Sequence, residues 1–253
     1  MAQRAEEKKQ LMTTTLTTPY IYYNKAQKAS KKAEEFLESA NRFFEQHDIE
    51  KTTEAYKKAL EESPESAELL NNMGAILSAQ GAVQEGINFL KKASEINPQC
   101  TGAFYNLGTL FLAHNLHAQA KEYLEKATVT NPTSAPILNN LGIAHMHLGE
   151  FDKAHEYFLK ATELDKTFDY AFHNLGSVSY DRGQLEEAMH YFHKALELNA
   201  QNFASLNDLG CALYLEGKTK DAIAFFKKAI ASNSLYRLPY HNLGYIVYKN
   251  ELV

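Results

Sequence analysis

Metal chemistry is the first possibility the sequence raises, through its histidines. His190 and His193 stand three residues apart, with Glu186 four before them, a spacing that sets all three on one helical face. A zinc site needs three or four converging ligands, and nothing else clusters with this group, so it reads as a solvated helix face. His114 and His117 span a turn, while His145 and His147 mix a core-like position with an inward-facing one. His155-Glu156 lacks the second histidine that a metalloprotease helix requires. The only cysteines, Cys100 and Cys211, lie too far apart in sequence for a disulfide framework or a paired-cysteine zinc site. The expectation is a chain with no catalytic constellation, no metal and no cofactor.

Carboxamides make the stronger pattern. Asn72, Asn106, Asn140, Asn174 and Asn242 recur at multiples of 34 residues, and Asp208 fills the gap in the series. Asparagine costs roughly half a kcal/mol or more against alanine within a helix, so its return is not a matter of propensity. A carboxamide offers both donor and acceptor, the complement of a peptide's C=O and N–H. A row of them can hold an extended chain whatever its side chains are. The alternative is that these amides bond the neighbouring helix or water, copied along when the repeats duplicated. Both readings stay open.

The elements that must position this row are marked by glycine. Gly74, Gly108, Gly142, Gly176, Gly210 and Gly244 follow at intervals of 34, and Gly81, Gly149, Gly183 and Gly217 sit seven residues after members of that series. A fixed period of this length marks a stacked-repeat solenoid. With the first glycine series at position 8 of each repeat, position 27 is Ala59, Ala93, Ala127, Ala161, Ala195 and Ala229. Leu70, Met73 and Leu77, like Phe104, Leu107 and Phe111, have the three-then-four spacing of one buried helical face. Glycine at position 15 stops the first helix. A second amphipathic stretch follows and ends near Asn97-Pro98, Asn131-Pro132, Asp165, Asn199 and Asn233. Asparagine there is expected to take the left-handed turn conformation that it tolerates, and proline cannot continue a helix. Small residues at positions 8 and 20 let the two helices approach closely.

On these residues the chain resembles the tetratricopeptide repeat family: an apolar residue at position 4, Leu-Gly at 7 and 8, Ala at 20, aromatic or Leu at 24, Ala at 27 and Pro at 32. The resemblance runs over residues 33–253. Position 4 carries no tryptophan, and the first repeat has Ala40 and Thr52 at positions 8 and 20 instead of Gly and Ala. The resemblance implies an all-α, right-handed α-solenoid of helix–turn–helix repeats. Six full repeats span 33–66, 67–100, 101–134, 135–168, 169–202 and 203–236, with a terminal half-repeat at 237–253. It also implies that the first helices line a concave groove. The asparagine row then looks like the asparagine ladder of family members that bind extended polypeptides, such as the O-linked N-acetylglucosamine transferases. Tyr105, Asn139, His173, Asn207 and His241 fall at position 5, and Tyr170, Tyr180, Tyr214, Tyr245 and Tyr248 project inward on this register. The family's carboxylate clamp needs Lys or Arg at positions 2, 5 and 6, where this chain carries none, which disfavours a chaperone-tail adaptor.

Charge narrows the partners. The net charge is −5, and only four of 26 basic residues are arginine, a poor start for a nucleic-acid binder. The lysines at position 26 are balanced by Glu54–Lys58, Glu122–Lys126 and Glu156–Lys160 at i,i+4 spacing. The groove's charges are mostly acidic: Glu34, Glu38, Glu45, Glu68, Asp181 and Asp208. No apolar run suits a membrane span or a secretory signal, so a cytoplasmic location is expected. Residues 1–32 form a basic leader, read as non-helical over Leu11–Tyr20 and helical from about Tyr22. The last half-repeat is apolar on more than one side and could serve self-association.

The expected function is therefore a non-catalytic protein-interaction scaffold. Its groove would hold a neutral or basic extended polypeptide through Asn72, Asn106, Asn140, Asn174, Asp208 and Asn242, with Tyr105, Asn139, His173, Tyr180, Asn207 and Tyr214 beside them. The alternatives are a substrate-recognition arm of or for a protein-modifying enzyme such as a glycosyltransferase, and a homo-oligomeric assembly protein.

Overall fold

A computed structural model describes residues 30–251. The expectations for the basic leader fall almost wholly outside the described residues. Among those residues every regular element is an α-helix. Packing divides the chain at Thr133–Ser134 into two units.

Residues 30–133 form three helical hairpins: α1 (Lys31–Glu45) with α2 (Ile49–Glu62), α3 (Ala67–Ala79) with α4 (Val83–Ile96), and α5 (Thr101–Ala113) with α6 (His117–Thr130). Residues 134–251 form α7 (Ala135–His147) with α8 (Phe151–Leu164), α9 (Asp169–Asp181) with α10 (Leu185–Leu198), α11 (Phe203–Leu215) with α12 (Thr219–Ser232), and the single helix α13 (Leu238–Glu251). No described helix is long and apolar enough to cross a membrane.

The close approach inside each hairpin explains positions 8 and 24 together. A Cβ added at Gly74, Gly108, Gly142, Gly176 or Gly210 would fall 2.7, 2.5, 2.6, 2.6 or 2.7 Å from Leu90, Leu124, Phe158, Phe192 or Phe226, respectively. These five large side chains are essentially fully buried. Only a residue without a side chain leaves them room. In the first hairpin Ala40 and Thr52 stand at the small positions, both fully buried. The Thr52 hydroxyl donates to the Asp48 carbonyl at 2.7 Å, so its polar group is satisfied within its own helix. That hairpin is as well packed as the others, with Leu37, Tyr56, Leu69 and Met73 in one cluster.

Two kinds of turn separate the helices, and they differ from the expectation. Within hairpins, position 15 is left-handed throughout: Gly81, Gly149, Gly183 and Gly217 have φ of 86°, 79°, 77° and 80°, and His47 and Asn115 have φ of 59°. Between hairpins the asparagines are extended instead, with φ of −129° at Asn97, −142° at Asn199 and −147° at Asn233. Their side chains supply the turn. The Oδ1 atoms of Asn97, Asn199 and Asn233 accept from the backbone N–H two residues on, at 2.9, 3.1 and 3.0 Å, and Asp165 does the same at 2.9 Å. This is the side-chain-mediated turn that Asn and Asp share, which is why aspartate substitutes there freely.

His47 holds a left-handed conformation with a Cβ and lies exposed. The left-handed region costs an L-residue roughly 1–2 kcal/mol, partly offset by the greater freedom of glycine in the unfolded chain. His47→Gly is expected to stabilise the protein by about 0.5–1 kcal/mol, read as a higher urea midpoint at unchanged m-value. A lower midpoint would contradict this account of the turn.

Candidate functional site

The asparagine row lies on the first helix of each hairpin, and its members are joined to one another. In residues 30–133, the Asn71 side-chain N–H donates to Asn72 Oδ1 at 3.1 Å, and Asn106 donates to Asn71 Oδ1 at 2.9 Å. Asn72 in turn donates to the Tyr56 hydroxyl at 3.4 Å, which donates to Asn41 Oδ1 at 3.3 Å. In residues 134–251, Asn139 donates to Asn140 Oδ1 at 3.3 Å and Asn174 donates to Asn139 Oδ1 at 2.8 Å. Further along, Asn207 donates to Asp208 Oδ1 at 3.0 Å, and Asn242 donates to Asn207 Oδ1 at 2.9 Å. The rule is the same each time. Position 5 donates to its neighbour at position 6, and position 6 of the next repeat donates back to position 5.

This geometry shows a second period that the 34-residue reading misses. Position 5 is asparagine in alternate repeats (Asn71, Asn139, Asn207) and aromatic or histidine in the others (Tyr105, His173, His241). Each position-5 asparagine joins its own hairpin to the next, so amide contacts tie the repeats in pairs. Asn71 is the linking residue that the sequence reading left out; the doublets Asn71-Asn72 and Asn139-Asn140 were its signal. The structure thus realises the helix-bonding alternative for these side chains.

Asn72, Asn139 and Asn140 are fully buried, Asn106, Asn174 and Asn207 nearly so, and Asp208 and Asn242 half-buried. Tyr105 and His173 are buried, whereas Tyr180 and Tyr214 are half-buried. The His173 ring nitrogen Nδ1 lies 3.1 Å from the Ser205 hydroxyl, joining α9 to α11. Tyr214 and Tyr245 meet edge to face, with centroids 6.1 Å apart. Tyr170 packs edge-on against Phe168, and burial, helped by the Asp169 charge, pushes its hydroxyl pKa up. It therefore stays a hydrogen-bond donor at any physiological pH. Of the row and the side chains beside it, Asp208, Asn242, Tyr180 and Tyr214 keep part of their surface accessible.

The charged faces of the second helices are solvated. The pairs Glu54–Lys58, Glu122–Lys126 and Glu156–Lys160 close at 2.7, 2.7 and 2.6 Å. Lys126 and Lys228 also lie 4.8 Å above the rings of Tyr123 and Phe225. The lysine partners hold the Glu54 and Glu156 carboxyls below the usual range. His190 and His193 are exposed on α10. Among the described residues no group of three or more His, Cys, Asp or Glu side chains could hold a metal ion. His145, by contrast, is buried on α7. Its Nδ1 lies 2.7 Å from Glu150 Oε2 and its ring stacks on Tyr157, a locking role for the α7–α8 turn that its sequence position gave little sign of.

Known proteins resemble the chain in the same terms. Tetratricopeptide repeat models match residues 43–110, 101–133, 135–168 and 169–233. Curated protein sequences give no match. Among solved structures, YrrB, described as a tetratricopeptide repeat protein with an unusual peptide-binding site, is 24% identical with a TM-score of 0.61, over 76% of this chain and 99% of its own. A tetratricopeptide repeat protein from Parabacteroides merdae is 19% identical with a TM-score of 0.73, over 88% of this chain and 89% of its own. MamA from Desulfovibrio magneticus is 22% identical with a TM-score of 0.61, over 69% of this chain and 98% of its own. With the paired helices, the small-residue contacts at positions 8 and 20 and the matching models in agreement, the chain belongs to the tetratricopeptide repeat family, whose repeats serve generally as non-catalytic protein-interaction modules.

Proposed function

We propose that this protein is a non-catalytic scaffold that holds an extended, neutral or basic polypeptide against the faces lined by its first helices. The observation that carries the reading is the chain of joined amides, supported by the likeness to YrrB and its peptide-binding site. Hydrogen bonds between positions 5 and 6 fix the carboxamides in set rotamers before any ligand arrives. A pre-organised polar array spends less entropy on binding than a mobile one. At roughly 0.5–1.5 kcal/mol net per hydrogen bond, contacts from the half-buried Asp208 and Asn242, held in place by the buried amides behind them, give moderate affinity, suited to a partner that is exchanged. The acidic side chains Glu34, Glu38, Glu45, Glu68, Asp181 and Asp208 on the first helices favour a ligand without negative charge.

Asp208 and Asn242 are the pair to test, because they are the half-buried members of the row and both lie in the 134–251 unit. A peptide array probed with the folded protein should identify binders, and Asp208→Ala/Asn242→Ala should weaken them by about tenfold, the equivalent of roughly 1.4 kcal/mol. Unchanged affinity in a double variant with native circular dichroism would overturn the role given to the amides.

A further inference from the structure

We infer that a small pocket between α11 and α13 takes one aliphatic or aromatic side chain of the bound peptide, and selects a lysine or arginine beside it. This rests on the peptide-binding reading above and narrows it to a class of ligand. The pocket measures about 230 Å³ and is lined by Tyr180, Cys211, Tyr214, Leu215, Tyr245 and Ile246, with Phe226 among the residues closing it. Drug-sized ligands and cofactors occupy roughly 300–1,000 Å³, so this space suits a single side chain. Its walls are apolar and pre-set, since Tyr214 and Tyr245 fix each other edge to face. Leu215 is 58% and Tyr245 48% exposed, which places apolar surface at the mouth.

Asn242 sets how a peptide backbone would meet the pocket. Its Nδ2 donates to Asn207 Oδ1 at 2.9 Å and to Cys211 Sγ at 3.3 Å. Both N–H groups are thereby used inside the protein, and the carbonyl oxygen of this half-buried amide is the group left to accept a ligand's backbone N–H.

Charge supplies the second half of the selection. Asp208 lies one helical turn before Cys211, and its carboxylate accepts from neutral donors, Asn207 at 3.0 Å and the Ser177 hydroxyl at 3.5 Å. Among the described residues, Arg182 lies 3.3 Å from Asp152 and Lys249 lies over the Tyr245 ring at 5.8 Å. A basic residue beside the buried side chain meets a negative field, which favours it over an acidic one.

Titration of the 253-residue chain with short peptides that differ only in one dipeptide, Leu-Lys, Ala-Lys or Leu-Glu, tests this. Burial of a leucine side chain predicts Leu-Lys tighter than Ala-Lys by about tenfold or more, and Leu-Lys tighter than Leu-Glu. Cys211→Phe fills the pocket and should erase the Leu-over-Ala preference. Leu215→Ala, at an exposed position where folding is not at stake, should reduce it. Asp208→Asn should weaken the preference for Lys over Glu alone. Equal binding of Leu-Lys and Ala-Lys overturns the pocket while the amide reading stands; absence of binding by any peptide overturns both. Concentration-dependent dimers that Leu215→Ala abolishes would assign the pocket to a second copy of the chain and overturn the peptide assignment.

Discussion

Phe192→Ala is expected to destabilise the protein by about 3–5 kcal/mol, the usual cost of emptying a fully buried phenylalanine site. The ring is 0% exposed and touches three partners at once. It fills the space over Gly176, where an added Cβ would come within 2.6 Å of the ring. It lies against His173, with centroids 5.8 Å apart. It also packs in one cluster with Leu209, Leu213 and Phe226 of the following hairpin. The loss therefore falls on the α9–α10 hairpin and on its interface with α11 and α12. In a repeat array, where stability is close to a sum of repeat and nearest-neighbour contributions, hydrogen exchange should rise first in those four helices. Phe192→Leu is the control. Leucine already occupies this position at Leu90 and Leu124, over Gly74 and Gly108, so this variant is expected to lose far less, about 1 kcal/mol. If alanine and leucine prove equally mild, the phenylalanine does not hold the hairpin as argued.

The same lock explains why so much of the fold is legible in the sequence. A helix pair that must approach within a side chain's width leaves few options at positions 8 and 20, so glycine and alanine recur and give the period away. The turn at position 15 is equally constrained, because a left-handed residue favours glycine. Between hairpins the constraint is weaker, since an extended residue with a side-chain acceptor satisfies the turn, and asparagine alone does not announce which conformation it holds. The left-handed expectation failed there for that reason.

The candidate site was half visible. The row at position 6 stood out because asparagine is out of place in mid-helix, but the role of Asn71 did not, since it appears only when two helices separated by 35 residues are set side by side. His145 is the same kind of case: its bond to Glu150 and its stacking on Tyr157 arise from how the α7–α8 turn folds back. Contacts along one helix can be read from spacing. Contacts between helices depend on the packing, which spacing does not encode.

Asn139→Ala should show whether the amide chain stabilises the array. Asn139 is fully buried; it donates to Asn140 at 3.3 Å and accepts from Asn174 at 2.8 Å. Alanine removes both bonds and takes from the buried Asn174 amide its acceptor. Leaving a buried polar group without its partner costs about 1–3 kcal/mol, so a loss near 2 kcal/mol is expected, read from the urea midpoint. A double-mutant cycle separates the bond from the burial. If Asn139 and Asn174 act through one another, Asn139→Ala/Asn174→Ala should cost less than the two single losses together, with a coupling of about 0.5–3 kcal/mol. Strict additivity would mean that each amide stands alone and that repeats are not joined in pairs. The outcome bears on binding too, because an array pre-set by these bonds loses peptide affinity when Asn139 is removed, even where Asn139 itself never touches the ligand.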